Sequence, residues 1–273
     1  MILVTGGTGT VGSRLVELLL DSGERVRVLS RNAGAARSKL GDRAEVAQGD
    51  FGDPESVGAA LRGADRVFLL TPSAPEPNQQ LQHERTVIAA AKQAGVRHVV
   101  KQSVLGADER SPMRYARWHR EAEKELEASG LAYTILRPAA FMQGFFESVT
   151  DDRIYTCAED GRVAMVDARD IAAVAKAALC GSDHEGRTYT LTGPEAVSYD
   201  EAAATLSAAT GRTIRHVRVP PAGVIERISA AGLPQWLAED LAAQFGVFAA
   251  DRGAIVSDDV ATVSGREPRS LDE

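Results

Sequence analysis

Ser103, Tyr115, His119 and Glu123 are residues whose types and spacing can do chemistry. Tyr115, His119 and Glu123 recur at steps of four, which puts them on one face of a helix. A hydroxyl and a phenol beside a carbonyl oxygen can hydrogen-bond it and deliver a proton. A histidine on the same face can lower the phenol pKa when cationic, or act as the acid itself. Ser103, Tyr115 and His119 are therefore the candidate catalytic residues. The plainer alternative is a helix surface on which Trp118 and His119 carry no chemistry and Glu123 pairs with an arginine.

The second constellation opens the chain. Ile2-Leu3-Val4 runs straight into Thr5-Gly6-Gly7-Thr8-Gly9-Thr10-Val11-Gly12, and an amphipathic segment follows at once. This reads as strand, tight turn and helix. Gly6, Gly9 and Gly12 form G-x-x-G-x-x-G, a relative of the dinucleotide fingerprint. A pyrophosphate approaching a helix start needs open main chain and free N–H groups, and the helix dipole favours its charge. A Cβ at the turn would block that approach. The residues expected against a dinucleotide are thus Thr5, Gly6, Thr8, Gly9, Thr10, Val11 and Gly12.

Further candidates end the next strands. Ser30, Arg31 and Asn32 close the second, where an acidic residue would favour NAD by bonding the adenosine ribose. Here the side chains are donors, and a guanidinium can hold a 2′-phosphate. NADPH is the expected cofactor, with NADH the second option. Arg37 can assist or be a surface charge. Asp50 and Phe51 follow the third strand; the Asp50 carboxylate can accept the adenine amino group or cap a turn. Leu70, Thr71 and Pro72 close the fourth strand, where main chain flanks the cofactor ribose.

These positions require an ordered frame. Val11, Leu15, Leu18 and Leu19 give the first helix its apolar face, and Gly23 stops it. Strands are expected at Val26–Leu29, Glu45–Gln48, Val67–Leu70, Val99–Ser103 and Tyr133–Leu136. Helices are expected at Asp53–Arg62, where Asp53-Pro54 reads as N-cap and first position, and at Asn78–Ala94 and Pro112–Ser129. The loop Thr71–Pro75 cannot continue a sheet. Six alternations of strand and helix imply a doubly wound parallel α/β sheet. Residues 1–150 are expected to form this core, with 167–193 returning to it through a helix at Arg169–Leu179 and a strand at Tyr189–Leu191. Residues 194–273 are expected to form a small C-terminal α/β cap over the carboxyl ends of the strands, where ligands bind.

Composition narrows the partners. The chain has 273 residues, 44% hydrophobic and 25% charged, with net charge -7. That balance argues against nucleic acid. Cys157 and Cys180 lack metal spacing, as do the histidines His83, His98, His184 and His216, so no metal is expected. No apolar run approaches a membrane span, and the first strand leaves no room for a signal peptide. A cytoplasmic location is expected. Asp167 and Asp170 invite an acid–base reading, but a helix N-cap and first turn is the simpler role.

The chain resembles the NmrA-like atypical short-chain dehydrogenases/reductases, a group that includes NADPH quinone oxidoreductases and azoreductase-like proteins. The resemblance rests on Thr5-Gly6-Gly7-Thr8-Gly9-x-x-Gly12, Gly49-Asp50-Phe51, His119-x-x-x-Glu123, Thr134-Ile135-Leu136-Arg137-Pro138 and Val166-Asp167-Ala168-Arg169-Asp170-Ile171-Ala172. It implies NAD(P)H binding through the ladder, Arg31 and Asp50, with the nicotinamide near Pro138, Ala139 and Phe141. One departure stands out. Ordinary short-chain dehydrogenases carry Tyr-x-x-x-Lys, whereas the frame here is Tyr115-Ala116-Arg117-Trp118-His119, and NmrA-like members often lack that triad.

Two functions remain open at this point. One is an NADPH-dependent reductase passing hydride to a quinone, ketone or related conjugated small molecule. The other is a non-catalytic NADP(H)-sensing regulator with a protein partner. Phe141, Met142, Phe145 and Phe146 can form a slot for a flat apolar substrate, or simply be the inward face of a short helix. The assembly is expected to be a monomer or homodimer.

Overall fold

Ile2 and Val4 pack on one side of their strand and Leu3 on the other, and all three are buried. The same two-sided burial recurs in the neighbouring strands, as a parallel sheet covered on both faces requires. The computed structural model describes residues 1–72 and 76–273. The loop expected at Thr71–Pro75 therefore lies partly outside the described residues.

In chain order the core runs β1 (Ile2–Val4), α1 (Thr10–Asp21), β2 (Val26–Ser30), α2 (Ala33–Leu40), β3 (Glu45–Gln48), α3 (Pro54–Leu61), β4 (Arg66–Leu69), α4 (Gln79–Gln93), β5 (His98–Gln102), α5 (Arg114–Ala128) and β6 (Ala132–Pro138). Then come α6 (Met142–Glu147), β7 (Arg153–Thr156), β8 (Arg162–Val163), α7 (Ala168–Cys180), β9 (Arg187–Leu191), β10 (Val197–Ser198), α8 (Tyr199–Thr210), β11 (Arg215–Arg218), α9 (Pro221–Ala230), α10 (Gln235–Ala249) and α11 (Asp259–Ser264).

The main sheet has the order β3-β2-β1-β4-β5-β6-β9, with every pair parallel. The chain runs outward from β1 to β3, then crosses back to β4. A crevice opens where that order reverses, beyond the carboxyl ends of β1 and β4. The Thr5 hydroxyl ties these two strands together. It sits 3.0 Å from the Phe68 carbonyl and 2.9 Å from the Leu70 carbonyl, and accepts the Leu70 N–H at 2.8 Å.

Helices cover both faces. Val11, Leu15 and Leu19 of α1 pack with Ile171, Val174 and Ala178 of α7 on one side. Val57 and Leu61 of α3, Val87 and Ile88 of α4 and Leu126 of α5 fill the other. Asp53 caps α3 by accepting from Glu55 N–H, with Pro54 at the first position, as the sequence predicts. Helix α2 is not among the predicted helices. Its Asn32 cap is clear, accepting from Ala35 N–H, but only Ala33 and Ala36 of its residues are buried.

Residues 142–166 and 194–253 build a small lobe. β7 pairs with β11, and β8 with β10. Met142, Phe145, Ile154, Met165, Tyr199 and Phe248 form its own apolar centre. Helix α11 falls within the stretch expected in the cap, yet it packs on α7 and β9. Val260 joins the core, Asp259 accepts the Thr190 N–H, and Arg269 pairs with Asp170. Apolar burial and a buried carboxylate draw this segment back to the sheet. None of the helices among the described residues is long and apolar enough to cross a membrane.

Candidate functional site

The glycine ladder lies at the carboxyl end of β1, where the chain turns into α1. Gly6 has φ +66, a conformation suited to glycine. A Cβ on Gly12 would stand 2.2 Å from the Gly6 carbonyl oxygen, so only glycine lets the turn and helix pack this closely. Gly9 occupies the N-cap of α1 and supplies no side-chain bond. The first N–H groups of the helix are thus left to whatever approaches them.

A hollow of about 510 Å³ opens beside this turn. Thr8, Gly9 and Thr10 line it, together with Arg14, Lys39 and Arg169. Three cations around a helix N-terminus suit a pyrophosphate. Lys39 donates to the Thr8 carbonyl at 2.6 Å and so sits over the ladder. Sequence reading missed Lys39 because the helix carrying it has almost no apolar period. It also missed Arg14 and Arg169, which only the fold brings together.

Ser30, Arg31 and Asn32 end β2 and begin α2, and Arg31 and Asn32 are exposed. Asn32 uses its side-chain oxygen as the cap of α2, and the Ser30 hydroxyl donates to the Asn32 carbonyl at 3.1 Å. Arg31 stands just past the carboxyl end of β2. Asp50 accepts the Gly52 N–H with one oxygen, so it closes a turn and keeps a second oxygen. Phe51 stacks on His83 with ring centres 5.4 Å apart. His83 was not among the expected site residues. Burial lowers its pKa, with Asp50 raising it and Arg31 lowering it further.

The second cavity, of about 720 Å³, lies over the carboxyl ends of β4, β5 and β6. It gathers Leu70, Thr71, Pro138, Ala139 and Phe141 with Ser103, Tyr115 and His119. Pro72 does not line it. Its far wall is α10, through Trp236, Leu237, Leu241 and Phe248. Met142 and Phe145 turn instead into the lobe centre, and Phe146 is exposed. Of the expected aromatic slot only Phe141 faces the cavity.

Each candidate catalytic group has a partner. The Ser103 hydroxyl donates to Glu123 at 2.6 Å. Glu123 is fully buried and also holds Arg137 at 2.5 Å and Arg120 at 2.9 Å. Burial alone would raise its pKa; the bonds from Arg137, Ser103 and Arg120 outweigh this and hold it below the usual range. Tyr115 points its hydroxyl at the Met113 sulfur, 3.0 Å away, and burial with the nearby Asp240 charge pushes the phenol far up. His119 lies between Gln80 and Lys101. Burial, then the Lys101 charge, keeps the ring well below the usual histidine pKa. It is therefore neutral and cannot act as a cation on Tyr115.

Asp167 caps α7, accepting the Arg169 N–H at 2.6 Å and the Gln143 amide at 3.0 Å. Asp170, in the first turn, pairs with Arg269. Asp167 thus serves the helix start, the simpler of the two roles read from sequence, whereas Asp170 stands in the first turn and gives both oxygens to Arg269. Among the described residues no His, Cys, Asp and Glu cluster fits a metal.

A family model described as NAD(P)H-binding matches residues 6–180. The chain is similar to an NAD(P)H azoreductase from Xenophilus azovorans, 38% identical over 277 residues, covering 100% of this chain and 96% of that protein. Quinone oxidoreductase 2 of Escherichia coli (strain K12) is 32% identical over 248 residues, 89% of this chain and 86% of its own length. The fold resembles the crystal structure of an NADPH-dependent quinone oxidoreductase from Escherichia coli complexed with NADPH. There the TM-score is 0.89 and the identity 29%, covering 100% of this chain and 97% of that one. The chain belongs to the NAD(P)H-binding family, as one of the NmrA-like atypical short-chain dehydrogenases/reductases.

Proposed function

We propose that the protein is an NADPH-dependent reductase of a flat, largely apolar small molecule, with a quinone or a related conjugated acceptor as the substrate class. The observation that carries this reading is the pair of hollows along one sheet edge. One is cationic and sits over the glycine ladder; the other is apolar and walled by α10. A dinucleotide has a charged half and a flat half, and the two hollows suit them in that order.

The residues present fit the cofactor. Gly6, Gly9 and Gly12 leave room for the pyrophosphate, with Thr8, Thr10 and Val11 at the helix start. Arg14, Lys39 and Arg169 balance its charge. Arg31, with Ser30 and Asn32 beside it, would hold the 2′-phosphate. Asp50 and Phe51 would flank the adenine. Leu70, Thr71, Pro138, Ala139 and Phe141 would border the nicotinamide. The Thr5 side chain is committed to joining β1 and β4, so its part is to hold the ladder in place. When bound, the reduced nicotinamide supplies a hydride.

The chain's own contribution is to exclude water, orient the acceptor and manage one proton. Trp236, Leu237 and Leu241 close the apolar cavity from above. Of Ser103, Tyr115 and His119, the histidine is best suited to meet the acceptor oxygen. Its neutral ring can exchange its Gln80 side-chain partner for the acceptor, whereas the Ser103 hydroxyl donates to the charged Glu123 and the Tyr115 hydroxyl faces the Met113 sulfur.

The test is to mix the protein with NADPH and a panel of soluble quinones, azo compounds and ketones, and follow loss of the reduced-nicotinamide absorbance. Turnover of a quinone or azo compound is expected. Tight NADPH binding with no turnover of any acceptor would overturn the reading in favour of a cofactor-sensing regulator.

A further inference from the structure

Lys101 sits in the middle of the sheet and is fully buried. It follows Val99 on the same strand face, the face packed against α4 and α5. A charge there is costly unless every donor finds a partner. Lys101 finds three. Its Nζ lies 3.0 Å from Glu84 Oε2, 3.0 Å from His119 Nδ1 and 3.3 Å from the Gln102 carbonyl. Glu84 is itself 1% exposed, and its other oxygen receives the Thr71 hydroxyl at 3.3 Å. Three elements thus converge on a histidine ring that lines the apolar cavity: β5 with Lys101 and α4 with Glu84 at Nδ1, α4 again with Gln80 at Nε2, and α5 with His119 itself.

We infer that Lys101, held by Glu84, is the internal proton source for His119, and fixes that ring as a neutral donor whose Nε2–H serves the acceptor oxygen. This rests on the reductase reading of the same cavity. The geometry sets the tautomer. An ammonium cannot face an N–H, so at 3.0 Å from Lys101 Nδ1 must carry the lone pair and Nε2 the proton. The Gln80 amide nitrogen lies 2.9 Å from Nε2. An amide N–H cannot face an N–H either, so the amide turns its oxygen to Nε2, giving up its bond to Glu84, and accepts the N–H until an acceptor molecule replaces it. The 3.4 Å approach of Glu84 Oε1 to Nδ1 is longer than the lysine contact, so the carboxylate holds Lys101 rather than the ring.

The proton balance is simple. A two-electron hydride, delivered by the reduced nicotinamide and leaving it oxidised, converts a quinone to the hydroquinone anion. The His119 Nε2–H bond breaks and its proton goes to the oxyanion. Nδ1 takes a proton from Lys101, which becomes a neutral amine beside the Glu84 carboxylate. When product leaves, His119 Nε2 takes a proton from solvent in the opened cavity and Nδ1 returns its proton to the buried Lys101 amine, which restores both groups. The arrangement also accounts for the frame position where ordinary relatives carry lysine. His119 occupies it, and a lysine stands directly behind, supplied by β5 instead of α5. Lys101 acts through His119 and is a positioning residue.

The test uses cofactor-free protein first. Nitrogen-15 NMR of His119 is expected to show a neutral ring protonated at Nε2, unchanged from about pH 5 to pH 8, where an ordinary histidine titrates. In Lys101→Met, the Glu84 carboxylate should draw a proton onto His119, so the ring becomes cationic in that range. Glu84→Gln/Lys101→Met removes both charges together and guards against misfolding; it should lose the fixed tautomer without charging the ring. With NADPH and a soluble benzoquinone, both variants should slow turnover about 10²-fold or more, the scale of general-acid assistance. Their KM should barely change, and their solvent deuterium isotope effect should be larger. A parent ring protonated at Nδ1 would overturn the inference, whatever the activity. So would a folded double variant with the parent's tautomer, turnover and isotope effect. Absence of any quinone turnover by the parent would instead strike the reductase reading, and leaves the NMR result to be judged alone.

Discussion

The Ser103 hydroxyl donates to the Glu123 carboxylate at 2.6 Å, across the gap between β5 and α5. The serine therefore belongs to a buried ion network with Arg120 and Arg137. Ser103→Ala should change turnover by less than about tenfold, below the range of a general acid. Glu123→Gln should cost about 3 kcal/mol, the low end for breaking a buried pair, because both guanidiniums keep some contact with water. The pH dependence has a definite sign. Glu123 has a lowered folded-state pKa, so its stabilisation is present above its ordinary value of 4.5 and is lost as pH falls through the folded value. Urea unfolding of parent and E123Q at neutral pH and at about pH 3 should show the gap between them closing in acid. A constant gap would mean that ionisation of Glu123 does not matter.

Tyr115 occupies the place of the usual acid in ordinary relatives, yet its phenol faces the Met113 sulfur and is strongly disfavoured from ionising. Tyr115→Phe should retain turnover within about tenfold, whereas loss of a general acid costs about 10²–10⁴-fold. Steady-state kinetics with NADPH and a benzoquinone decides this, and a thousandfold drop would return the proton to the tyrosine.

Arg31→Ala separates the two nicotinamide cofactors. Loss of a charge-assisted bond to the 2′-phosphate should weaken NADPH by about 1.5–3 kcal/mol, roughly tenfold to a hundredfold, and leave NADH nearly unchanged. Fluorescence titration with both dinucleotides measures this directly. Equal losses would place Arg31 away from the phosphate.

Gly12→Ala tests the close packing at the ladder. The added methyl would meet the Gly6 carbonyl oxygen at 2.2 Å. Overpacking of this kind should cost about 1–3 kcal/mol. NADPH affinity should fall in parallel, because the turn must move outward into the phosphate approach. Thermal melts with and without NADPH should show a lower midpoint and a smaller gain from the cofactor.

The outline of the core was legible because strand ends and helix starts carry local signals. Asp53-Pro54 marks α3, and Leu15 and Leu19 mark the buried face of α1. The single-helix stretch Ala33–Leu40 was not legible, since two alanines are all it buries, and Lys39 was lost with it. The apolar strand around Val99 and Val100 draws attention away from Lys101, whose importance lies in partners on α4 and α5. The aromatic run at 141–146 misled for a related reason. Helical spacing sends Met142 and Phe145 into the lobe, leaving the cavity to Phe141 and to residues of α10. Groupings of distant residues, such as Arg14 and Arg169 around one hollow, have no trace in local pattern.

Helix α5 begins at Arg114, and its N-cap, Met113, supplies no side-chain bond. The missing cap comes from α10: Asp240, 2% exposed, accepts the Tyr115 N–H and the Arg114 guanidinium, both at 3.0 Å, while Trp236 packs on Trp118. During synthesis the strands of the core leave the ribosome long before Asp240 does. Until then the first turn of α5 has only water for its N–H groups, and the apolar cavity has no roof. The apolar cavity can thus take shape only after α10 has been made, and α11 with Arg269, which follow α10, complete the cover of the sheet later still.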